Sequence, residues 1–378
     1  MKLLFVSEYY PASENVDLHG GVEARVYEIA SRLSRRHKVV VITSAESGKP
    51  REQVLAGVKI KRVGLDRNYT RTGQHFTRLI FILSVIWSGL FLDFDLIEGS
   101  GFMGWFPALV LSRLKKKRRV ALVADTMDVY ASDAGRFSYK LLQFLQKYLL
   151  KKNWDSLICI SWTIRNKLRI FDIKSPIHVV YCGVNLQQIK NINVVKARRP
   201  TICCVSRLVP YKRIKDLIFA TAILRQYLQQ LQVDIVGSGE ELEKLKKLCQ
   251  EKQLEKIIKF SGFLPNHHMV IKHIKRAWIF CLPSQVEGFG IVTIEAMAAG
   301  VPVVVSDIPT NREVTQGKGA VFFEPANYQD LAQKLTYLLS HKQNYQKLTM
   351  QTKKVASRYD WEIIYKQTEK LYENLCAD

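Results

Sequence analysis

The strongest constraint on what this chain can fold into is a rhythm. Short β-branched and apolar runs alternate with longer stretches of helical periodicity, the pattern of parallel α/β sheets. In the first half the runs predict strands at residues 2–7, 38–43, 58–63, 96–98, 120–124, 156–160 and 178–180. The rhythm then restarts, with strands predicted at 201–206, 232–236, 257–261, 277–282, 301–306 and 320–323. Helices are predicted between them, notably over 22–36, 214–227, 240–252 and 291–299. At 378 residues the chain is long for one core and suits two. The segment LQQIKNINVVKARRPTICCV, residues 186–205, is polar and precedes a fresh strand, which sets the break at 190/191. Two doubly wound domains, 1–190 and 191–358, are therefore expected, facing a cleft across the carboxyl ends of their strands, where such sheets bind ligands. The tail YDWEIIYKQTEKLYENL, residues 359–375, is patterned as a further helix.

Composition narrows the class. A hydrophobic content of 47% is that of a globular chain, not a disordered one. Seven cysteines, odd in number and without a Cys-x-x-Cys spacing, fall mostly in apolar runs. They predict reduced, buried thiols and no zinc site. The opening MKLLFVSEYY reads as a first strand rather than a secretory signal, so a cytoplasmic location is expected. The net charge of +23 is uneven: residues 1–200 carry 33 Lys and Arg against 16 Asp and Glu, and the rest 24 against 18. Such a field attracts polyanions, whether nucleic acid, anionic lipid headgroups or nucleotide diphosphates. Nucleic acid is disfavoured, because the basic residues are not interleaved with exposed aromatics and no RNA-binding module is present.

Three neighbouring stretches leave two readings open. LIFILSVIWSGLFL, residues 79–92, is too short to span a bilayer, and FSYKLLQFLQKYLLKK, residues 137–152, sets apolar anchors among lysines at helical spacing. RLKKKRR, residues 113–119, lies between them. They form either two packed helices and a solvated loop, or a surface that rests on anionic lipid.

Candidate chemistry concentrates in PSQVEGFGIVTIEAMAAGVPVV, residues 283–304. Glu287 falls in a loop at a strand's carboxyl end. Gly288 and Gly290 let the backbone approach a ligand, and the helix from Ile291 offers free N–H groups and a positive dipole end. Two carboxylates, Glu287 and Glu295, flanking an anion site suit the hydroxyl groups on either side of a phosphate. Arg207 and Lys212 follow another strand, and their fork and point charge suit phosphate oxygens; Arg213 and Lys215 are expected to face solvent. Gly237 and Gly239 make an incomplete dinucleotide fingerprint, since a third glycine is missing, and can mark only a tight turn. Gly20 and Gly21 precede the first helix, where backbone N–H groups can meet a phosphate. His267 and His268 are expected in a solvated loop. No metal-spaced cluster, Walker A loop or Ser-His-Asp grouping is present.

Taken together, MKLLFVSEYYP, HGGVEARVYEIASRL, SRLVPYKRIKDLI, IVGSGEEL, SGFLP and PSQVEGFGIVTIEAMAAGVPVV resemble glycosyltransferase family 4, over nearly the whole chain. The resemblance implies a GT-B fold, two Rossmann-like domains with the last helix crossing back to the first, and retaining transfer from a UDP- or GDP-sugar. It implies that Arg207 and Lys212 grip the diphosphate, Glu287 the transferred sugar with backbone N–H groups at Gly288, Phe289, Gly290 and Ile291, and Glu295 the ribose. Gly20, Gly21 and Gly237 would border the diphosphate, and Gly262, Phe263 and Leu264 the base. Neither metal nor cofactor is implied. The acceptor expected is a glycan or lipid-linked intermediate at the inner membrane face. Met127 stands where family members often carry a histidine, leaving Asp125 or Asp128 for that role. A sugar-nucleotide epimerase of the same architecture and a catalytically degenerate membrane-surface partner are the alternatives.

Overall fold

The computed structural model describes residues 1–13, 20–66, 75–126 and 136–377. They form two compact units, Met1–Cys182 with Trp361–Asp378, and Gly183–Asp360.

The first unit is built on an eight-stranded sheet. Its elements run β1 (Lys2–Ser7), α1 (Gly21–Leu33), β2 (Lys38–Ser44), β3 (Glu52–Leu55), β4 (Val58–Val63), α2 (His75–Leu90), β5 (Leu96–Ser100), α3 (Phe102–Lys115) and β6 (Arg118–Val123). They continue with α4 (Arg136–Leu150), β7 (Ser156–Cys159), α5 (Trp162–Leu168) and β8 (Ile177–Val179). The strand order is β3-β4-β2-β1-β5-β6-β7-β8. All neighbours are parallel except β3 and β4. β5 and β7 are buried along their whole length, as strands of a parallel sheet covered on both faces are. The edge strand β3 was not expected from the sequence. Four residues carry little pattern, and the turn that makes the hairpin is Ala56-Gly57, with φ of 47° and 79°, both in the left-handed region that a two-residue turn of this hand requires. The run 113–119 is not a free loop: 113–115 end α3, Lys116 turns at φ 54°, and 118–119 open β6.

The second unit holds α6 (Leu186–Asn191), β9 (Thr201–Val205), α7 (Ile214–Leu224), β10 (Gln232–Val236), α8 (Leu242–Glu251), β11 (Ile258–Gly262) and α9 (His267–Arg276). These are followed by β12 (Ile279–Leu282), α10 (Ile291–Ala298), β13 (Val303–Ser306), α11 (Pro309–Val314), β14 (Val321–Phe323), α12 (Tyr328–Ser340) and α13 (Lys342–Ala356). Its all-parallel sheet runs β11-β10-β9-β12-β13-β14. Ile202, Cys204, Leu217, Ile235, Cys281 and Val304 lie in its core. The division falls at 182/183 and 360/361, so α6 belongs to the second unit. α6 packs on α10, and Val184 bridges Asp360, with its N–H donating to Tyr359 O at 2.7 Å.

The last helix, α14 (Trp361–Ala377), returns to the first unit. Arg32 Nε donates to Glu362 Oε1 at 2.9 Å, and His37 Nε2 sits 2.9 Å from Glu369 Oε1. Deeper in, the Tyr372 hydroxyl donates to Glu98, which is wholly buried beside Arg25 at 3.8 Å. His37, Glu369 and Glu373 bring possible ligand atoms within 4.8 Å of one another. Arg36 Nη1 at 3.3 Å already occupies Glu369 Oε2, and the Met1 amine at 3.3 Å meets His37 Nδ1, so the trio fastens the helix. Among the described residues no helix is long and apolar enough to cross a membrane.

Candidate active site

The strand order explains why residues far apart in sequence meet. In the second sheet β9 is flanked by β10 on one side and β12 on the other, so chain connections leave in opposite directions at β9/β12. Loops at such a switch point open a crevice at the strands' carboxyl ends. The loops after β9 and β12 are those carrying Arg207, Lys212 and Glu287.

The loop after β9 is held at several points. Buried Leu208 donates its N–H to Ser238 O at 2.9 Å and accepts from Glu241 N at 3.0 Å. A tight turn over Pro210–Lys212 follows, and Arg213, at φ 50°, starts α7. Arg213 does not face solvent as expected: its guanidinium forks onto buried Asp216 at 2.6 and 3.0 Å. That pairing satisfies a left-handed residue at a helix start. Tyr211 joins the two loops, its carbonyl accepting from Gln285 N at 2.8 Å. Its hydroxyl accepts from Arg207, and its ring lies 5.6 Å from Lys212 Nζ.

Across the join, Lys212 Nζ donates to Glu287 Oε1 at 2.6 Å, with 12% and 8% of the two side chains exposed. Thr310 Oγ1 donates to the Glu287 carbonyl at 2.9 Å. Gly290, at φ 80°, then bends the chain into α10, and Phe289 is buried with its ring edge-on to Tyr359 at 5.8 Å. The first N–H groups of α10 lack intrahelical partners by construction and face an anion favourably. Four buried polar atoms here have no hydrogen-bond partner: Ser284 Oγ, Thr293 Oγ1, Glu295 Oε2 and Asn311 Oδ1. A buried polar atom left unpaired costs about 1–3 kcal/mol, so these atoms have hydrogen-bonding capacity that a polar ligand could satisfy.

Glu295 lies on the buried side of α10, its other oxygen 3.1 Å from His267 Nε2. His267 is thus not a solvated loop residue. It opens α9 after the Asn266 cap, and α9 packs on α10. Sequence reasoning missed it because the two residues meet only through helix packing.

The glycines divide by cause. A Cβ on Gly237 would fall 1.8 Å from Ser206 O, and one on Gly239 would fall 2.3 Å from Leu208 O. Both are explained by close approach to the Arg207 loop. Gly262, at φ 71°, has nothing within 4 Å of its Cβ direction. Its carbonyl accepts from Gly237 N at 2.8 Å, and Phe263 beside it is exposed, with Leu264 half-buried. Gly20 and Gly21 belong to the first unit, where Gly20 caps α1 with extended backbone and accepts from Ala24 N at 3.1 Å. Asp125 ends the strand region after β6 and its carbonyl accepts from Gln146 at 3.3 Å. Met127, Asp128 and His19 lie outside the described residues. Beneath the site, burial pushes the Cys204 thiol up to about 12, which removes it as a nucleophile.

Comparison with known proteins bears on the family and the fold. Residues 19–188 match the family model "Glycosyltransferase Family 4", and residues 186–355 match "Glycosyl transferases group 1". An uncharacterized glycosyltransferase of Haemophilus influenzae is 26% identical over 93% of this chain and 96% of its own length. Glycogen synthase of Mycobacterium tuberculosis is 24% identical over 98% and 94%. Among solved structures, sucrose-phosphate synthase of Thermosynechococcus elongatus superposes with a TM-score of 0.83 at 21% identity over the full length of both chains. Anabaena HepE, in complex with UDP and glucose, superposes with 0.79 at 19% identity over 99% of each. Two Rossmann-like units of the GT-B fold, matched over residues 19–355 by two family models, identify this chain as a glycosyltransferase of family 4.

Proposed function

We propose that the protein transfers a hexosyl group, with retained configuration, from a UDP- or GDP-sugar to a lipid-linked or surface-glycan acceptor at the inner face of a membrane. The observation that carries this reading is the Lys212–Glu287 pair set among four unpartnered buried polar atoms at the switch point of the second sheet. One hydrogen bond leaves both partners capacity: an ammonium has two more donors, and a carboxylate has further lone pairs. Lys212 can therefore hold a phosphate oxygen while it steadies Glu287, whose free oxygen accepts from the donor sugar's hydroxyls.

Arg207 supplies the second positive charge to the diphosphate as it departs, and the N–H groups at Gly288, Phe289, Gly290 and Ile291 supply dipoles that need no reorganisation. Glu295 offers its unpaired oxygen to the ribose. The family resemblance gives the Gly262–Leu264 turn to the base. As the sugar–oxygen bond breaks, a diphosphate oxygen accepts the proton of the acceptor hydroxyl attacking the same face. The new glycosidic bond and a nucleoside diphosphate result. Arg207 and Lys212 provide the charge that a metal would otherwise bring.

The test is thermal stabilisation by UDP-glucose, UDP-N-acetylglucosamine and GDP-mannose in the wild type, Arg207→Ala and Glu287→Ala, followed by acceptor-dependent release of nucleoside diphosphate. A shift by one donor that the variants lose supports the site. Conversion of the donor without acceptor would overturn transfer in favour of epimerisation.

A further inference from the structure

We propose that the α2–α4 side of the first unit is a docking face for an anionic lipid bilayer. This deepens the membrane-facing part of the function above and rests on it, while its test runs without the transfer reaction.

A surface helix keeps a polar outer face. α2 does not, because residues 79–92 carry no charge at all. Its inner side is used for packing: Phe81, Val85 and Gly89 are buried, and a Cβ on Gly89 would lie 2.4 Å from Leu111 of α3. Its outer side presents Leu83, Trp87 and, just past its end, Phe91, with 57%, 68% and 71% of each exposed. Spacings of four keep them on one stripe, and the Trp87 and Phe91 rings meet edge to face at 5.3 Å. α4 repeats the arrangement, with exposed Phe144 and Tyr148 stacked at 6.4 Å on a helix that also carries exposed Lys140 and Lys147. α3 packs against both helices.

The cations around this face are of two kinds. Arg118 pairs with Asp155 at 3.0 Å, Lys115 donates to Leu92 O at 2.7 Å, and Arg119 is bound to the Asn153 carbonyl, so these three are structural. Arg113, Lys116, Lys140 and Lys147 are exposed and have no ion-pair partner among the described residues. Pressing two copies together through this face would bring two sets of these four unpaired positive charges into one interface, on a chain of net charge +23. Anionic headgroups would neutralise them instead, while Trp87 and Tyr148 sit at the depth such rings favour. The 16 residues of α2 reach about 24 Å, short of the roughly 30 Å hydrocarbon layer, so the helix lies in the interface rather than across it.

The experiment is co-sedimentation of the full chain with vesicles of phosphatidylglycerol and phosphatidylcholine, against phosphatidylcholine alone. The wild type should bind the first and not the second. One variant carries Leu83→Asp with Trp87→Ser, and the other carries Arg113, Lys116, Lys140 and Lys147 each changed to Ser. Each lost charge should weaken partitioning about fivefold, so the quadruple variant falls at least about a hundredfold. Wild-type binding that is absent, or undiminished in both variants, overturns the proposal. So does a dimer in sedimentation equilibrium that Trp87→Ser dissolves, which would assign the face to a second copy. An unchanged thermal midpoint and donor-induced shift in the variants separates loss of docking from loss of fold or of the donor site.

Discussion

Lys212 and Glu287, 75 positions apart in sequence, form a 2.6 Å ion pair across the join of two loops. The pair is largely out of water, so removing one member leaves the other charge without compensation. Lys212→Met should cost about 3 kcal/mol, and Lys212→Met with Glu287→Gln should recover most of that while remaining inactive. Urea unfolding followed by circular dichroism, beside a transfer assay, measures both. If the double variant is no more stable than the single one, the pair is not the unit of stability described here.

Arg207 should matter to rate more than to stability, since its guanidinium is held mainly by Tyr211. Arg207→Ala is expected to lower kcat/KM by about 10²–10³, the worth of one charge-stabilising donor in other active sites. Tyr211→Phe should give a smaller loss of the same sign. Steady-state kinetics on the identified donor decides this.

Gly237 and Gly262 test two different needs for glycine. An alanine Cβ at Gly237 would enter the space of Ser206 O at 1.8 Å, so Gly237→Ala should displace the Arg207 loop and lower both the thermal midpoint and donor binding. At Gly262 the space is open and only the φ of 71° opposes a side chain, so Gly262→Ala should cost about 1 kcal/mol with the loop intact. Equal midpoints for the two would contradict the steric account.

His267 holds one Glu295 oxygen at 3.1 Å, and the other has no hydrogen-bond partner. His267→Ala should raise the donor KM roughly tenfold, as for the loss of a hydrogen bond to a charged group, and change kcat little. A loss confined to kcat would place His267 elsewhere in the mechanism.

Burial pushes the thiols of Cys159, Cys182 and Cys204 up to about 12 from an ordinary 9.0. The folded state therefore holds these protons more tightly than the unfolded one. The stability they contribute is complete below pH 9 and is lost as pH climbs from there towards 12, by up to about 1.4 kcal/mol per thiol per pH unit. Denaturant midpoints measured from pH 8 to 11 should fall above 9, and Cys204→Ala should flatten the slope.

Much of this molecule is legible in its sequence because its information is local. Each buried parallel strand is an apolar run that periodicity reveals, and every strand expected from the sequence forms within about two residues of its expected bounds. The hairpin strand β3 was not legible, because its four residues owe their conformation to pairing with β4. Glu287, Arg207 and Lys212 stood out as charges in apolar, glycine-marked surroundings. His267 did not, since nothing near it in sequence distinguishes it from a solvated histidine.

The order of residues determined the class of fold, the restart of the second sheet and the chemistry concentrated after its strands, since each depends on short-range pattern and side-chain type. Only the tertiary structure decided which of those groups meet. The reversal of strand order at β9/β12 presses two distant loops together, helix packing brings His267 to Glu295, and close backbone approach claims Gly237 for Ser206. Such contacts follow from topology and excluded volume, which no local stretch of sequence encodes.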